Sequence, residues 1–380
     1  MRITEIRTVV FEYELARPLG DVNSPSGRSL NSGLVVYVDT DAGITGLGLG
    51  SPPGRPHVQS LAGRLIGSDP RGVRGLWKQM MDSVFKLGPV GPVAVGLSAL
   101  DLALWDLKAK ANGEPLWRTL GASSPRVRAY ASGLDSPLSD AELHAFYAGM
   151  AAQGVSAGKL KGGANFQDDL RRLGIMRDAL ATSGKRVDLM LDVNEFWTPK
   201  EAIRRVREIE RNFDLTWIEE PARRWDATGL RQVSDGVAAA VASGENLRHP
   251  GEFLHLIDHR AIDVFQVGSD TCGITGAMIV ADMVFGIERP VSMMNSPGSF
   301  MAHAAAAMPN HTMLEVLGAG RDSLFDIDIR IDDGWLVLGE RPGFGIEFDS
   351  DRLSAHTVEQ ASPQAMASPW GRRPGAGLYA

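Results

Sequence analysis

Apolar and polar residues alternate through "ITEIRTVVFEYEL", and again in two runs of "GLVVYVDTDAGITGLGLG" around a turn at Asp41-Ala42-Gly43. A period of two marks half-buried strands, so the chain opens as paired β-structure. Between these runs lies "ARPLGDVNSPSGRSLN" (16–31), rich in Gly, Pro, Ser and Asn. It exceeds an ordinary hairpin connection and reads as a long mobile loop, of the kind that serves as a lid. From about residue 56 to 121 the period lengthens. "VAVGLSALDLALWDLKAKANGEPLWRTLG" carries apolar residues at helical spacing, with Asn112-Gly113 as a stop and Pro115 opening the next segment.

From about 126 to 316 strand-like and helical text alternate. Eight short β-rich runs recur: "VRAYAS", "SAGKLK", "VDLMLD", "LTWIEE", "AAVASGE", "IDVFQV", "RPVSMMN" and "HTMLEV". Amphipathic stretches such as "PKEAIRRVREIERNF" separate several of them. Eight strands joined by crossovers predict a parallel barrel. After 317 the text returns to strands and turns, "DIRIDDGWLVLGERPGFGIEF", expected to pack back on the first domain. The predicted architecture is α/β. An α+β capping domain covers 1–125 with its lid loop at 16–31, and a parallel (β/α)7β-type barrel covers 126–317. A return to the capping domain covers 318–360, and an extended tail 361–380.

Composition narrows the class. A chain of 380 residues is more than one core usually organises. Thirty-nine basic residues against 46 acidic ones leave a net charge of −7, which argues against a broad nucleic-acid-binding face. No apolar stretch is long enough to span a membrane, and the charged, alternating N-terminus is unlike a signal peptide. The single cysteine, Cys272, excludes an internal disulfide and a thiolate metal cluster. A cytoplasmic enzyme fits these limits best, and many binding proteins would meet them as well.

In a βα barrel the site forms at the C-terminal ends of the strands. Those ends carry Lys159 and Lys161, then Asp192, Glu219, Glu245, Asn295 and Glu315. Acids inside otherwise apolar strands are costly to bury unpaired. Asp192, Glu219 and Glu245 on neighbouring strands would repel one another, and a hard divalent cation such as magnesium relieves that. The competing reading is three separate surface acids, each paired with an arginine. Lys159 and Lys161, two apart in "GKLKGG", point the same way along a strand and would face the barrel mouth beside the acids. A neighbouring cation lowers a lysine's pKa, which lets one of the pair act as a base. The alternative is one solvated and one structural lysine. Base and Lewis acid together equip a site to remove a proton alpha to a carboxylate.

These residues resemble the enolase superfamily, in particular its mandelate racemase and muconate lactonizing enzyme branch. The resemblance rests on the helical "GLSALDLALWDLKAKANGEPLWRTLG", on "LDVN" (191–194), "WIEEP" (217–221), "ASGEN" (242–246) and "KLK", and on the "GFGIEF" ending. It spans nearly the whole chain. It implies magnesium held by Asp192, Glu219 and Glu245, with Glu220 the neighbour pointing away. It implies Lys161 as the base, Lys159 tuning it or holding the substrate carboxylate, and Glu315 donating a hydrogen bond to that carboxylate. A small carboxylate substrate and a homo-oligomer are implied likewise.

One part departs from the family pattern. The usual seventh-strand histidine is replaced by Asn295, and its sixth-strand aspartate by Val267 or Gly268, depending on the anchor. The sixth strand also carries no lysine. His249, Asp270 and His303 lie near in sequence and read more simply as loop, surface and helix-face residues. Tyr130 and Ser132 end the first barrel strand, with packing and substrate contact both open. A one-sided site suits syn-dehydration of a hydroxy acid such as an acid sugar. A racemase, epimerase or cycloisomerase with an unorthodox second donor is the alternative, and a carboxylate-binding homologue without catalysis is another.

Overall fold

The alternating N-terminal text forms an antiparallel sheet of β1 (Ile3–Leu19), β2 (Arg28–Thr40) and β3 (Thr45–Gly50). The structure is a computed structural model that describes residues 1–363; most of the tail expected at 361–380 lies outside the described residues. The stretch 16–31, expected to be one long loop, is half strand, at 16–19 and 28–31. The β1–β2 ladder runs with a break as far as Leu19↔Arg28, leaving only residues 20–27 as the connection. The polar composition is right for an exposed ribbon, but pairing with a neighbouring strand satisfied the backbone there.

Helices α1 (Arg55–Leu65), α2 (Val73–Ser83), α3 (Gly91–Asn112) and α4 (Leu116–Thr119) follow. Most of α3 is buried, because it lies between the cap sheet and the barrel helix α10. Close approach explains a glycine: a Cβ on Gly48 of β3 would sit 2.0 Å from the Ala99 carbonyl oxygen of α3. Gly113 ends α3 at φ +70°, a left-handed conformation that favours glycine.

The eight predicted runs become the eight strands of a closed parallel barrel. They are β4 (Arg126–Ser132), β5 (Ala157–Lys161), β6 (Asp188–Asp192), β7 (Leu215–Glu219), β8 (Ala240–Ser243), β9 (Val264–Val267), β10 (Val291–Met293) and β11 (His311–Val316). Between them run α5 (Asp140–Ala151), α6 (Phe166–Ala181), α7 (Pro199–Ile209), α8 (Ala227–Gly236), α9 (Leu254–Asp258), α10 (Gly273–Phe285) and α11 (Ala302–Ala306). The ring closes where β11 pairs with β4, Glu315 opposite Tyr130. Inside it Tyr130, Ala157, Met190, Trp217, Ala242, Val264 and Met313 form a separate apolar layer. Tyr130 meets Trp217 edge-on within that layer.

The C-terminal return divides in two. β12 (Phe325–Ile327) pairs with β15 (Ile346–Phe348), and β13 (Ile329–Asp332) with β14 (Trp335–Leu338). β14 docks on the barrel strand β4 over residues 126–128, below the 129–131 segment that pairs with β11. It thereby covers an edge that would otherwise be open. Past α12 (Ser350–His356) the chain returns to the cap, Val358 pairing with Val10. Among the described residues no helix is long and apolar enough to cross a membrane.

Candidate active site

The period of two positions the site. One step of two residues beyond the apolar layer, Ala157, Met190, Trp217, Val264 and Met313 give way to Lys159, Asp192, Glu219, Gln266 and Glu315. Lys161 lies opposite Asp192, and Asp192 opposite Glu219, in the strand registers. Glu245 stands beyond the end of β8, after Gly244 at φ +127°. A Cβ on Gly244 would sit 2.6 Å from the Gln266 carbonyl oxygen, so only glycine lets the strand turn there.

These side chains converge. Asp192, Glu219 and Glu245 each offer a carboxylate oxygen, all within 4.8 Å of one another. Lys159 is fully buried and bonds to Glu219, with Glu315 at 3.1 Å and Asp192 at 3.4 Å. Lys161 bonds to Asp192. Burial works against every charge here. Against Asp192 the two lysines outweigh it and hold the carboxyl well below the usual range. At Glu219 burial and then Asp192 push the carboxyl well up, and burial also raises Glu245.

The lysines differ from expectation. Burial and Lys159 lower Lys161, as anticipated for a paired amine, but Asp192 outweighs them and its pKa is raised. Lys159 is likewise raised, since Glu219 and Glu315 overcome its burial. Sequence shows that two amines are neighbours; it does not show that each amine has a carboxylate closer still.

Asn295, just past β10, donates to Glu315 from the backbone N–H at 3.2 Å and from Nδ2 at 2.6 Å. Burial opposes ionisation, yet Lys159 and then Lys161 pull its pKa down to about 2. Towards Asn295 it acts as an acceptor. The Asn295 Oδ1 in turn accepts from Nη1 of Arg321, a residue that no sequence pattern singles out. Nothing in "GAGRDS" marks Arg321, because its importance comes only from the chain folding back over the mouth.

On the sixth strand alternation turns Gln266 inward, while Val267 packs in the outer core. The next inward position is Gly268. His249, Asp270 and His303 do not supply the missing group. His249 accepts from Gly251 N–H, Asp270 pairs with Arg248 at 3.3 Å, and buried His303 accepts from Trp117 N–H at 3.1 Å.

Glu220 does not point away. Its φ is +46°, so strand alternation has already ended, and Asn246 Nδ2 holds its buried carboxylate at 2.9 Å. It lines a cavity of about 440 Å³ with Asn23, Asn194, Glu195 and three arginines. Asn194 ties this cavity to the acids by donating its N–H to Asp192 at 2.8 Å. Its carbonyl accepts from Asn23 of the cap at 3.0 Å. Behind the lysines, Asp135 accepts the Lys161 N–H at 3.1 Å, and Tyr147 Oη lies 2.7 Å from Asp135 and 2.6 Å from the Lys159 carbonyl. These contacts fix the strand that carries both amines.

The donor set suits a hard divalent cation. Buried Asp192, Glu219 and Glu315 and half-buried Glu245 face two lysines, and the three that converge offer only oxygen.

Comparison with known proteins agrees with this geometry. Residues 6–121 match the mandelate racemase / muconate lactonizing enzyme N-terminal domain, and residues 142–352 the enolase C-terminal domain-like family. A 3,6-anhydro-alpha-L-galactonate cycloisomerase of Streptomyces coelicolor is 30% identical over 367 residues, 94% of this chain and 99% of that one. The structure of a Streptomyces coelicolor racemase with bound magnesium superposes with a TM-score of 0.86 at 28% identity, covering 94% of this chain and 100% of that one. The L-talarate/galactarate dehydratase of Salmonella typhimurium, liganded with Mg and L-lyxarohydroxamate, gives 0.85 at 27%, covering 94% and 93%. The chain belongs to the mandelate racemase and muconate lactonizing enzyme branch of the enolase superfamily.

Proposed function

We propose that this protein is a magnesium-dependent enzyme that removes the proton alpha to a carboxylate, and that it dehydrates an acid sugar by syn elimination. Asp192, Glu219 and Glu245 would hold the ion, which supplies a Lewis acid for the substrate carboxylate. Lys161 is the base. Its Nζ is the amine nearest the open side of the acid cluster, whereas Lys159 lies beneath, enclosed by Glu219, Asp192 and Glu315. With Asp192 committed to a cation, its pull on Lys161 weakens and repulsion from Lys159 favours the neutral amine.

Lys161 takes the α-proton, the β-carbon–oxygen bond breaks, and the same ammonium returns that proton to the departing hydroxyl. Water leaves and the enol product becomes a 2-keto-3-deoxy acid. Lys159 places positive charge beside the carboxylate oxygens, and Glu315 fixes Lys159 in position.

The observation that carries this reading is Asn295. It occupies the position opposite Lys161 in the family pattern, is tied to Glu315 and Arg321, and neither gains nor loses a proton at working pH. A second reading, cycloisomerisation, draws support from the 30% identical relative and uses the same base with a ring oxygen as leaving group. Incubation with acid sugars and magnesium in D₂O tests the proposal. Water loss giving a keto acid, abolished in Lys161→Ala, is the expected outcome; unchanged turnover in that variant would sink it. A cytoplasmic homo-oligomer is in keeping with the buried thiol of Cys272 and the exposed Phe85 and Leu87, and sedimentation of the full chain tests the assembly.

A further inference from the structure

Lys161 is the last residue of β5, and the loop 162–165 leads from it directly into α6. Asp169, in the first turn of α6, reaches back to that loop. Its carboxylate accepts the Gly163 N–H, both oxygens lying 3.1 Å from the nitrogen. The approach is close: a Cβ on Gly162 would sit 2.6 Å from Asp169 Oδ1. The Gly163 carbonyl in turn accepts from Nε1 of buried Trp197 at 2.8 Å. On the strand side, Lys161 N–H donates to Asp135 at 3.1 Å and Gly162 N–H to the Asp192 carbonyl at 3.0 Å. Every backbone N–H from the base to Gly163 therefore has a fixed acceptor.

Asp169 is a costly choice for a bond that merely ties a loop to a helix. The residue is buried, and placing a carboxyl there for one N–H donor works against stability. Burial raises its pKa to about 7. The Gly163 N–H, then Arg205 and Arg172, pull the other way, and Asp168 adds to the rise. What the bond does achieve is positional. It holds the chain two residues beyond the base, as Asp135 holds it at the base itself. A rotation of the peptides at 162 and 163 would swing the end of β5, and the Lys161 side chain with it.

We propose that Asp169 is a positioning residue for removal of the α-proton: by holding Gly163 it fixes the direction in which Lys161 presents its amine. This rests on the reading of Lys161 as the base. Among the described residues no bond joins the Asp169 carboxylate to the Lys161 amine or to the three converging acids. Its effect is therefore on the aim of the base and not on the ion. Proton transfer is steep in geometry, and a misplacement of about 1 Å costs up to about a hundredfold in rate.

The test uses the full chain with magnesium. A panel of hexonates and hexarates is screened for α-proton exchange in D₂O, and the acid the parent exchanges fastest serves for the variants. In Asp169→Ala, kcat should fall by about tenfold or more, while KM and the magnesium affinity measured by calorimetry stay within about twofold. The isotope effect with α-deuterated substrate should be no smaller than the parent's, since proton transfer is the step that suffers. Asp169→Asn keeps one oxygen acceptor and should recover most of the loss. Trp197→Phe removes the bond to the Gly163 carbonyl and should show the same signature more weakly; it decides the matter if Asp169→Ala does not fold. A folded Asp169→Ala with parental kcat would overturn the proposal, and if Lys161→Ala is inactive the base assignment survives. Losses in KM and magnesium affinity that match the loss in kcat would reduce Asp169 to a structural residue and overturn the proposal too. No exchange by the parent with any acid would overturn the underlying reaction and this inference together.

Discussion

Asn295 and Glu315 are joined twice, by the backbone N–H at 3.2 Å and the side-chain amide at 2.6 Å. The pair puts a proton-inert amide just past β10, and it links Lys159 to Arg321. Asn295→Ala removes the link but not the base. Turnover should fall by about tenfold or more, as is usual when a supporting contact is lost, while α-proton exchange remains measurable. Loss of exchange as complete as in Lys161→Ala would mean that Asn295 itself handles the proton.

The crowded acids predict a crossover in stability. Asp192, Glu219 and Glu245 repel one another unless a cation joins them. Glu245→Gln should therefore melt higher than the parent in the presence of a chelator, and lower than the parent in saturating magnesium. An ion at a hundred times its dissociation constant contributes about 2.7 kcal/mol to the parent. Thermal melts with EDTA and with magnesium check both halves, and equal melting responses in parent and variant would refute the shared site.

A buried histidine sets part of the acid sensitivity. His303 accepts from Trp117 N–H, and its Nε2 lies 3.2 Å from the Phe344 carbonyl, so it joins the end of the cap helices to the C-terminal return. Burial lowers its pKa from the ordinary 6.5 to about 4. The unfolded chain then binds more protons between those values, so stability is present above pH 6.5 and is lost as pH falls towards 4. The group's share is about 3 kcal/mol. His303→Gln, whose amide can serve both contacts, should lose less stability over that window. Denaturant midpoints at pH 8 and pH 5 measure the difference.

The barrel was legible because its strands are short, regularly spaced and end in charged residues that an apolar strand would otherwise exclude. Lys159, Lys161, Asp192, Glu219 and Glu315 could be read for the same reason: each continues the inward-facing alternation of its own strand beyond an interior residue. What escaped depends on chain direction outside the strands. Glu220 swings into the mouth because its backbone is left-handed, which a rule of alternation cannot foresee. Arg321 reaches the site across a loop. The shift of Glu315 depends on the lysines that surround it, and sequence supplies the residue without its neighbours.

Asn194 bonds through its two backbone faces to two different things. Its N–H steadies Asp192, and its carbonyl receives the amide of Asn23 from the cap. The second bond is worth only about 1 kcal/mol net. The cap's hold on the barrel thus ends on the very residue that steadies one of the three converging carboxylates, so a change at either partner is felt by the other.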